Sequence, residues 1–360
     1  MQVFEFDEKS LALAQKQLEA IHKGQHIFMD IDEDHIEVPR LELSLPSLNK
    51  ILSNHYAGER AGFALGKIYN FYGPESIGKS ALALYIAGEF YKKGLSVHWI
   101  DKEHSFDPEY ALDAFGLDAW NKSKRVTISK PDNAEQAFDT IQSLVDNEAV
   151  HLIVVDSIAA LGTADQNAKT AEEKSMAETA RKLSEHFPRI ISKMGKANIS
   201  IIYINQLRAN ISMGMAFGSK PTGGNAMRFY PHISLEFKKP KSGDLYKGDE
   251  FIGQTVDITA AKNKTARPKL KANFVLFPGE GFSIESDILE LAVKTGVIIK
   301  AGAWYKWEDG SPIAQGVDKV RHMLKDDAEL TKSIWQKTSA RLDQQIDENT
   351  GEIIEQNDEE

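Results

Sequence analysis

Gly73-Pro74-Glu75-Ser76-Ile77-Gly78-Lys79-Ser80 puts two glycines, a lysine and a serine into one short turn, with an apolar, helix-favouring run directly behind it. The spacing is G-x-x-x-x-G-K-[ST]. Glycines at its two ends let backbone N–H groups converge on phosphate oxygens, and the start of a helix adds positive potential there. Lys79 is then placed to reach the outer phosphates of a nucleotide, and Ser80 to ligate Mg2+. A chance match in a glycine-rich turn would lack the strand before and the helix after that this chemistry needs. Here both are expected.

Two further polar clusters stand at the ends of apolar runs. In His151-Leu-Ile-Val-Val-Asp156-Ser157 four apolar residues deliver Asp156 where a buried strand leaves the core. An acid there can hold the metal of a phosphate site, or simply cap the next helix. In Trp99-Ile-Asp101-Lys102-Glu103-His104 another strand end carries three groups able to orient water. Glu103 is the preferred base, with Asp101 and His104 left as alternatives.

These residues need a frame that gathers strand ends. Candidate strands are Lys67 to Tyr72, Ser96 to Ile100, His151 to Asp156, Ser200 to Asn205 and Ile233 to Phe237. Three of them are dense in β-branched residues with little alternation, as buried parallel strands are. Helices are expected between them, at Ser80 to Lys93, Ala134 to Asn147 and a long one ending near Lys196. That order implies an α/β sheet, whose ligand crevice lies at the carboxyl ends of its strands. A helix over Ser10 to Lys23 and an alternating, proline-bearing segment over Ile36 to Ile51 precede it. Beyond Phe282 the pattern changes to a short helix at Asp287 to Lys294 that stops at Gly296. A hairpin turning at Asp309-Gly310 follows, and then a helical stretch from Gly316 to about Leu342.

The chain has 360 residues and 42% hydrophobic content, enough for a real core. It contains no cysteine, which excludes a disulfide framework and thiolate metal sites. No apolar run approaches the roughly 18 residues of a membrane span, and the acidic N-terminus does not read as a signal peptide. A cytoplasmic protein without a membrane partner is expected. The net charge of −10 taken alone argues against a polyanionic partner, but Arg341 to Glu360 holds eight acids and one base and supplies most of it. That stretch reads as a solvated acidic tail. His186 to Leu235 has six Lys or Arg and no acid, and Ile258 to Gly279 has five and no acid. Such windows imply a surface that meets polyanions.

Taken together, GPESIGKS, DKEHSFDPEYA, VVDSIAAL, INQLR, TGGNAMRFY, KNKTARP and AGAWY stand in the order and approximate spacing of the bacterial and phage RecA recombinase family. The resemblance covers about Leu43 to Lys325. It implies a P-loop NTPase core of RecA fold with a twisted, mostly parallel sheet. An N-terminal helical oligomerisation segment (residues 1–42) would precede the core (43–280), with a small α+β C-terminal domain (281–342) and the acidic tail (343–360) after it. The implied function is an ATP-dependent homologous recombinase. It would assemble as a helical filament on single-stranded DNA, hydrolyse ATP with Mg2+ between protomers and pair the strand with homologous duplex DNA.

Carried over by residue, Glu103 falls on the family's catalytic glutamate, Asp107 and Tyr110 on adenine contacts, and Gln206 on the γ-phosphate sensor. Ser157 joins Asp156 at the nucleotide. Lys262 and Lys264 resemble a pair of lysines that reach a neighbour's γ-phosphate, as arginine fingers do. Leu207 to Thr222 resembles the second DNA loop, with Arg208, Ile211, Met213, Phe217 and Lys220 as contacts. Gly223, Gly224 and Arg228 follow in the same surface. The first DNA loop is expected between Leu161 and Arg181, where Met176 and Arg181 are the recognisable positions. Phe229 matches a subunit-interface position, although a core phenylalanine reads the same way. Trp304, Tyr305 and Trp307 read either as a DNA-facing patch or, more simply, as a hairpin packed on its own domain. Two rival functions share parts of the pattern: a hexameric helicase or other motor of RecA fold, and a DNA-coating mediator that binds ATP without strand exchange. The INQ-to-TGGNA segment and the KNK pair disfavour the first, and a water-orienting carboxylate has no use in the second. Lys102 departs from the family, which has a small residue beside its glutamate.

Overall fold

The computed structural model describes residues 8–21, 38–120, 123–161, 171–208, 220–221 and 224–345. The expected contacts Ile211, Met213, Phe217 and Gly223 lie outside the described residues, as do the acidic tail beyond 345 and residues 162–170 of the first loop. The chain divides into two units, Met1–Val38 and Pro39–Glu360. In the first, α1 (Glu8–Ile21) is the helix expected from its apolar stripe, begun and ended two residues earlier.

The second unit opens with β1 (Arg40–Leu41), which pairs antiparallel with β2 (Phe63–Ala64) across the helix α2 (Pro46–Ser53). Alternation suggested only extended chain here. Pro46 at the first helical turn, where its missing N–H is no loss, starts the helix, and Asn54 in the left-handed region (φ 71°) ends it.

From β3 (Ile68–Gly73) the chain winds through α3 (Lys79–Lys92), β4 (Val97–Asp101), α4 (Pro108–Phe115), β5 (Val126–Ser129) and α5 (Ala134–Asp146). It continues through β6 (Leu152–Asp156), α6 (Ala171–Lys196), β7 (Ser200–Arg208), β8 (Lys220–Pro221), α7 (Gly224–Phe229) and β9 (Ile233–Lys238). Six of these strands form a parallel sheet in the order β9-β3-β7-β6-β4-β5. Every residue of β4 and β6 is buried, which is why β6 runs apolar without alternation up to Asp156. The one polar residue inside β4, His98, is satisfied by the Thr127 (2.7 Å) and Ser129 (2.9 Å) hydroxyls of β5. The order places β3, β6 and β7 side by side, so that Gly73, Asp156 and Gln206 emerge at the same edge.

An antiparallel wing extends the sheet beyond β9. It comprises β10 (Asp244–Lys247), the long β11 (Glu250–Asn263), β12 (Lys271–Phe277) and β13 (Gly281–Phe282). Below it, α8 (Ile284–Lys294) packs with β14 (Ile298–Ala301), β15 (Trp304–Trp307) and β16 (Pro312–Gln315). Those three strands make an antiparallel sheet closed by α9 (Val317–Asp326) and α10 (Ala328–Gln345). The single helical stretch expected from Gly316 onward is thus two helices. Asp327 breaks it with an extended backbone, and its Oδ1 accepts the Leu330 N–H at 2.9 Å. Tyr305 is buried in this small core with Ile288, Val320 and Leu324, whereas Trp304 is 45% exposed. The hairpin packs on its own domain through Tyr305.

Candidate nucleotide site

At the carboxyl ends of β3, β4, β6 and β7 lies a cleft of about 480 Å3, lined by Glu75, Ser76, Gly78, Lys79, Ser80, Ala81, Glu103, Asp156, Ile204, Gln206 and Leu276. Its floor is the turn that joins β3 to α3. Gly73 cannot carry a side chain, because a Cβ there would stand 2.6 Å from the Phe237 carbonyl oxygen. Gly78 is left-handed (φ 101°), and a Cβ on it would meet Leu276 Cδ2 at 2.8 Å. No side chain caps the start of α3, so its first N–H groups face the cleft as an anion seat. Gln254, on β11, donates to the Ser76 carbonyl at 3.1 Å and braces the turn from the antiparallel wing.

Lys79 folds back into this turn, donating to the Gly73 carbonyl at 3.1 Å and to that of Pro74. Burial draws its ammonium below the ordinary value, against the pull of Asp156, Glu103 and Glu75. Asp156 is buried at the end of β6, and burial pushes its carboxyl up to about 6. The Ser80 hydroxyl bonded to it works the other way, while Glu103 and Asp101 push it further up. A cation beside Asp156 would relieve that cost. Among the described residues no group of three or more His, Cys, Asp or Glu could hold a metal. A hydroxyl and one carboxylate, with phosphate and water oxygens filling the remaining positions, suit Mg2+.

Glu103 stands exposed at the end of β4. Its Oε1 accepts the Ser157 hydroxyl and, at 3.3 Å, the Gln206 side-chain amide. Asp101 has a different task. It is buried and closes the turn below by accepting the Ser105 N–H at 3.0 Å and the Phe106 N–H at 3.3 Å. His104 occupies the left-handed region (φ 55°) within that turn. Of the three water-orienting alternatives, the geometry favours Glu103. Asp107 caps α4, its Oδ1 accepting from the backbones of Glu109 (2.9 Å) and Tyr110 (3.2 Å), and Tyr110 packs edge-on to Phe115. Neither lines the cleft.

The lysine pair lies elsewhere, at the end of β11. Lys262 donates to the carbonyls of Arg228 (3.0 Å) and Phe229 (2.9 Å), so its ammonium caps the C-terminus of α7. The Lys264 N–H bonds the His232 carbonyl at 3.0 Å. Pairing of Arg208 with Lys220 in the β7–β8 ladder brackets residues 209–219, directly after Gln206. Gly224 opens α7 in the left-handed region (φ 59°). Arg228 is exposed, with its guanidinium 5.8 Å from the Phe229 ring centroid. Phe229 is 61% exposed, which removes the core reading for it. Met176 lies on α6, and Arg181, on the same helix, pairs with Glu185 at 3.1 Å on the surface. Gln254 and Leu276 were missed in the sequence, where nothing links them to a turn more than 170 residues away.

The RecA N-terminal domain family model matches residues 9–283, and the RecA C-terminal domain model matches residues 286–343. A Protein RecA from Geobacter sulfurreducens is 36% identical over 330 residues, covering 91% of this chain and 93% of its own. One from Allochromatium vinosum is 36% identical over 275 residues, 76% of each chain. The crystal structure of the RadB recombinase covers 62% of this chain and 92% of its own at 23% identity, with a TM-score of 0.45. With family models spanning both the sheet and the C-terminal helices, the chain belongs to the RecA family of DNA-dependent ATPases and recombinases.

Proposed function

We propose that the cleft at Gly73–Ser80 is the ATP and Mg2+ site of a filament-forming recombinase that acts on single-stranded DNA and pairs it with homologous duplex. Membership of the family makes the chain a nucleotide-binding, DNA-binding and self-associating protein. The finer assignment is carried by one observation. Gln206 donates to Glu103, and β7 runs on from Gln206 into the β7–β8 ladder that brackets residues 209–219. A side chain beside the phosphate and the base of the DNA loop therefore share one strand.

In this reading the α3 N-terminus and Lys79 bind phosphates, and Ser80 and Asp156 hold Mg2+, which neutralises charge developing on them. Glu103 orients the water, positioned by the Ser157 hydroxyl, and Asp107 and Tyr110, which stand outside the lining of the cleft, meet the base where it extends beyond the phosphates. Lys262 and Lys264 act on the nucleotide of a neighbouring protomer, Lys262 leaving the α7 carbonyls to do so. Met176, Arg181, Arg208, Ile211, Met213, Phe217, Lys220, Gly223, Gly224 and Arg228 contact DNA. Residues 1–42 serve assembly, 43–280 are the ATPase core, 281–342 the C-terminal domain and 343–360 an acidic tail that competes with DNA for basic surface. Release of phosphate would free Gln206 and loosen the loop behind it, a common switching device.

The test is ATP hydrolysis by the purified chain with and without single-stranded DNA over a range of salt. Strong stimulation that fades as salt rises is expected, because cationic groups track DNA phosphates. Hydrolysis indifferent to DNA would remove the coupling between Gln206 and the loop.

A further inference from the structure

We propose that Lys102 is a positioning residue for Glu103: its side chain straps the turn after β4 to the turn before α5 and so fixes where the water-orienting carboxylate stands. The inference rests on the assignment of Glu103 given above.

Glu103 is exposed on a turn whose main-chain ties run in one direction only. The N–H groups of Lys102 (2.8 Å) and Glu103 (3.3 Å) share the Asp156 carbonyl, and Asp101 closes the turn onto itself through Ser105 and Phe106. These bonds make the turn a compact unit hung from the ends of β4 and β6. On the opposite flank, towards α5, its backbone is not anchored by any of them. Lys102 supplies that anchor. Its ammonium donates to the Asp132 carbonyl at 2.7 Å and to the Pro131 carbonyl at 3.2 Å. A second lysine, Lys130, approaches Asp101 Oδ2 at 3.7 Å from the same neighbouring turn.

The far end of the strap is firm. The Asp132 N–H donates to Gln136 Oε1 at 2.8 Å, and Asn133 caps α5 by accepting the Gln136 N–H at 2.9 Å. Pulling on Lys102 therefore pulls on the first turn of a helix rather than on a free loop. The placement also settles the charge. An ammonium next in sequence to a catalytic carboxylate would be drawn to pair with it. Both residues lie in the bend just past β4, and the Pro131 and Asp132 carbonyls, rather than the Glu103 carboxylate, take the cation. A small side chain at 102 would leave both carbonyls to water, and the longer 3.7 Å approach of Lys130 to Asp101 would have to hold this flank instead.

Water attack tolerates little error in position; a displacement near 1 Å can cost about 100-fold. The test uses the full chain with single-stranded DNA, comparing Lys102→Met, which keeps the stem and loses the donor, with Lys102→Arg, which can donate to both carbonyls. Lys102→Met should lower kcat by about tenfold with KM for ATP and binding of a fluorescent nucleotide unchanged, and Lys102→Arg should recover most of the loss. Glu103→Gln should abolish most hydrolysis while keeping nucleotide binding. In that background Lys102→Met should change the residual rate by less than about twofold, because the two act as a unit. An undiminished kcat in Lys102→Met overturns the proposal. So does a loss that is equally large without Glu103, or a proportionate loss of nucleotide affinity. Wild-type hydrolysis by Glu103→Gln would instead show that the base itself is misassigned.

Discussion

Asp156 and Asp287 are both buried, both take a hydrogen bond from a serine hydroxyl, and both are pushed far above the ordinary carboxylate range, to about 6 and about 7, by burial before anything else. Their surroundings part company after that. Asp156 ends a parallel strand, faces a cleft of about 480 Å3, and has Glu103 and Asp101 near enough to push it further up. Asp287 sits in the first turn of α8 and accepts the Ser47 N–H at 2.9 Å at the start of α2, which ties the C-terminal helices to the rim of the sheet. A buried carboxylate is costly in either place. Where an open cleft lies beside it, the cost holds a place for a cation. Where a backbone donor closes over it, the same group becomes a joint.

The largest effect should separate the two. Asp156→Asn is expected to lower hydrolysis about 100- to 1000-fold, since the neutral amide no longer places the metal charge on the phosphates. The same change should leave the melting temperature of the nucleotide-free protein at pH 8 unchanged or raised, because a buried charge has been removed. Calorimetry and a steady-state assay on one preparation check both. Near-normal turnover would mean that Asp156, like Asp287, is structural. Affinity for the Mg2+ nucleotide in the wild type should also fall as pH drops below about 6, as the proton on Asp156 competes with the metal.

Much of the cleft could be read from the sequence because its chemistry is local. Gly73 to Ser80 is continuous, and Asp156 ends an apolar strand that announces itself. Glu103 was different: Asp101 and His104 stand within two residues of it, and only the fold shows Asp101 spent on closing a turn. The joint left no trace at all. Asp287 looks like any acid in a first helical turn, and its partner Ser47 lies 240 residues away in a segment that reads as extended chain. A separation of 178 residues hid Gln254 behind the cradle, and the Pro131 and Asp132 carbonyls, 29 and 30 residues from Lys102, stayed hidden because main-chain acceptors carry no sequence signature. The antiparallel wing was missed because β11 alternates mildly and owes its place to pairing with β9 and β12.

A smaller effect should appear in stability against pH. The folded carboxyl of Asp287 holds its proton more tightly than the unfolded one. Its contribution is therefore fully present below about pH 4 and is lost as pH rises through about 7. Asp287→Asn cannot titrate, and its amide oxygen can still accept the Ser47 N–H. The variant should lose that part of the decline between about pH 4 and pH 7, with ATP turnover unchanged. Saturating Mg2+ nucleotide should oppose the corresponding decline from Asp156 and leave that from Asp287 untouched, because only one of the two acids meets the ligand. Identical responses of both acids to nucleotide would break the distinction.

The smallest effect belongs to a third acid, which joins the same two parts of the unit from the surface. Glu280, in the turn between β12 and β13, accepts Arg321 at 3.2 Å and Lys325 at 2.9 Å from α9. Its carboxyl is held below the ordinary range, chiefly by the hydrogen bond from Lys325, so its contribution is present near neutral pH and fades on acidification. Glu280 and Lys325 are both more than two-fifths exposed, and solvent screens such pairs to below about 1 kcal/mol. Arg321 is held by more than its charge: it is buried, with its guanidinium 4.1 Å from the Phe277 ring centroid. Glu280→Gln should therefore shift the denaturant midpoint only slightly, and added salt should shrink even that shift. Loss of the ring contact in Arg321→Ala should cost more than loss of the ion pair. If Glu280→Gln proved the more damaging of the two, the surface pair rather than the buried contacts would be holding α9 to the sheet.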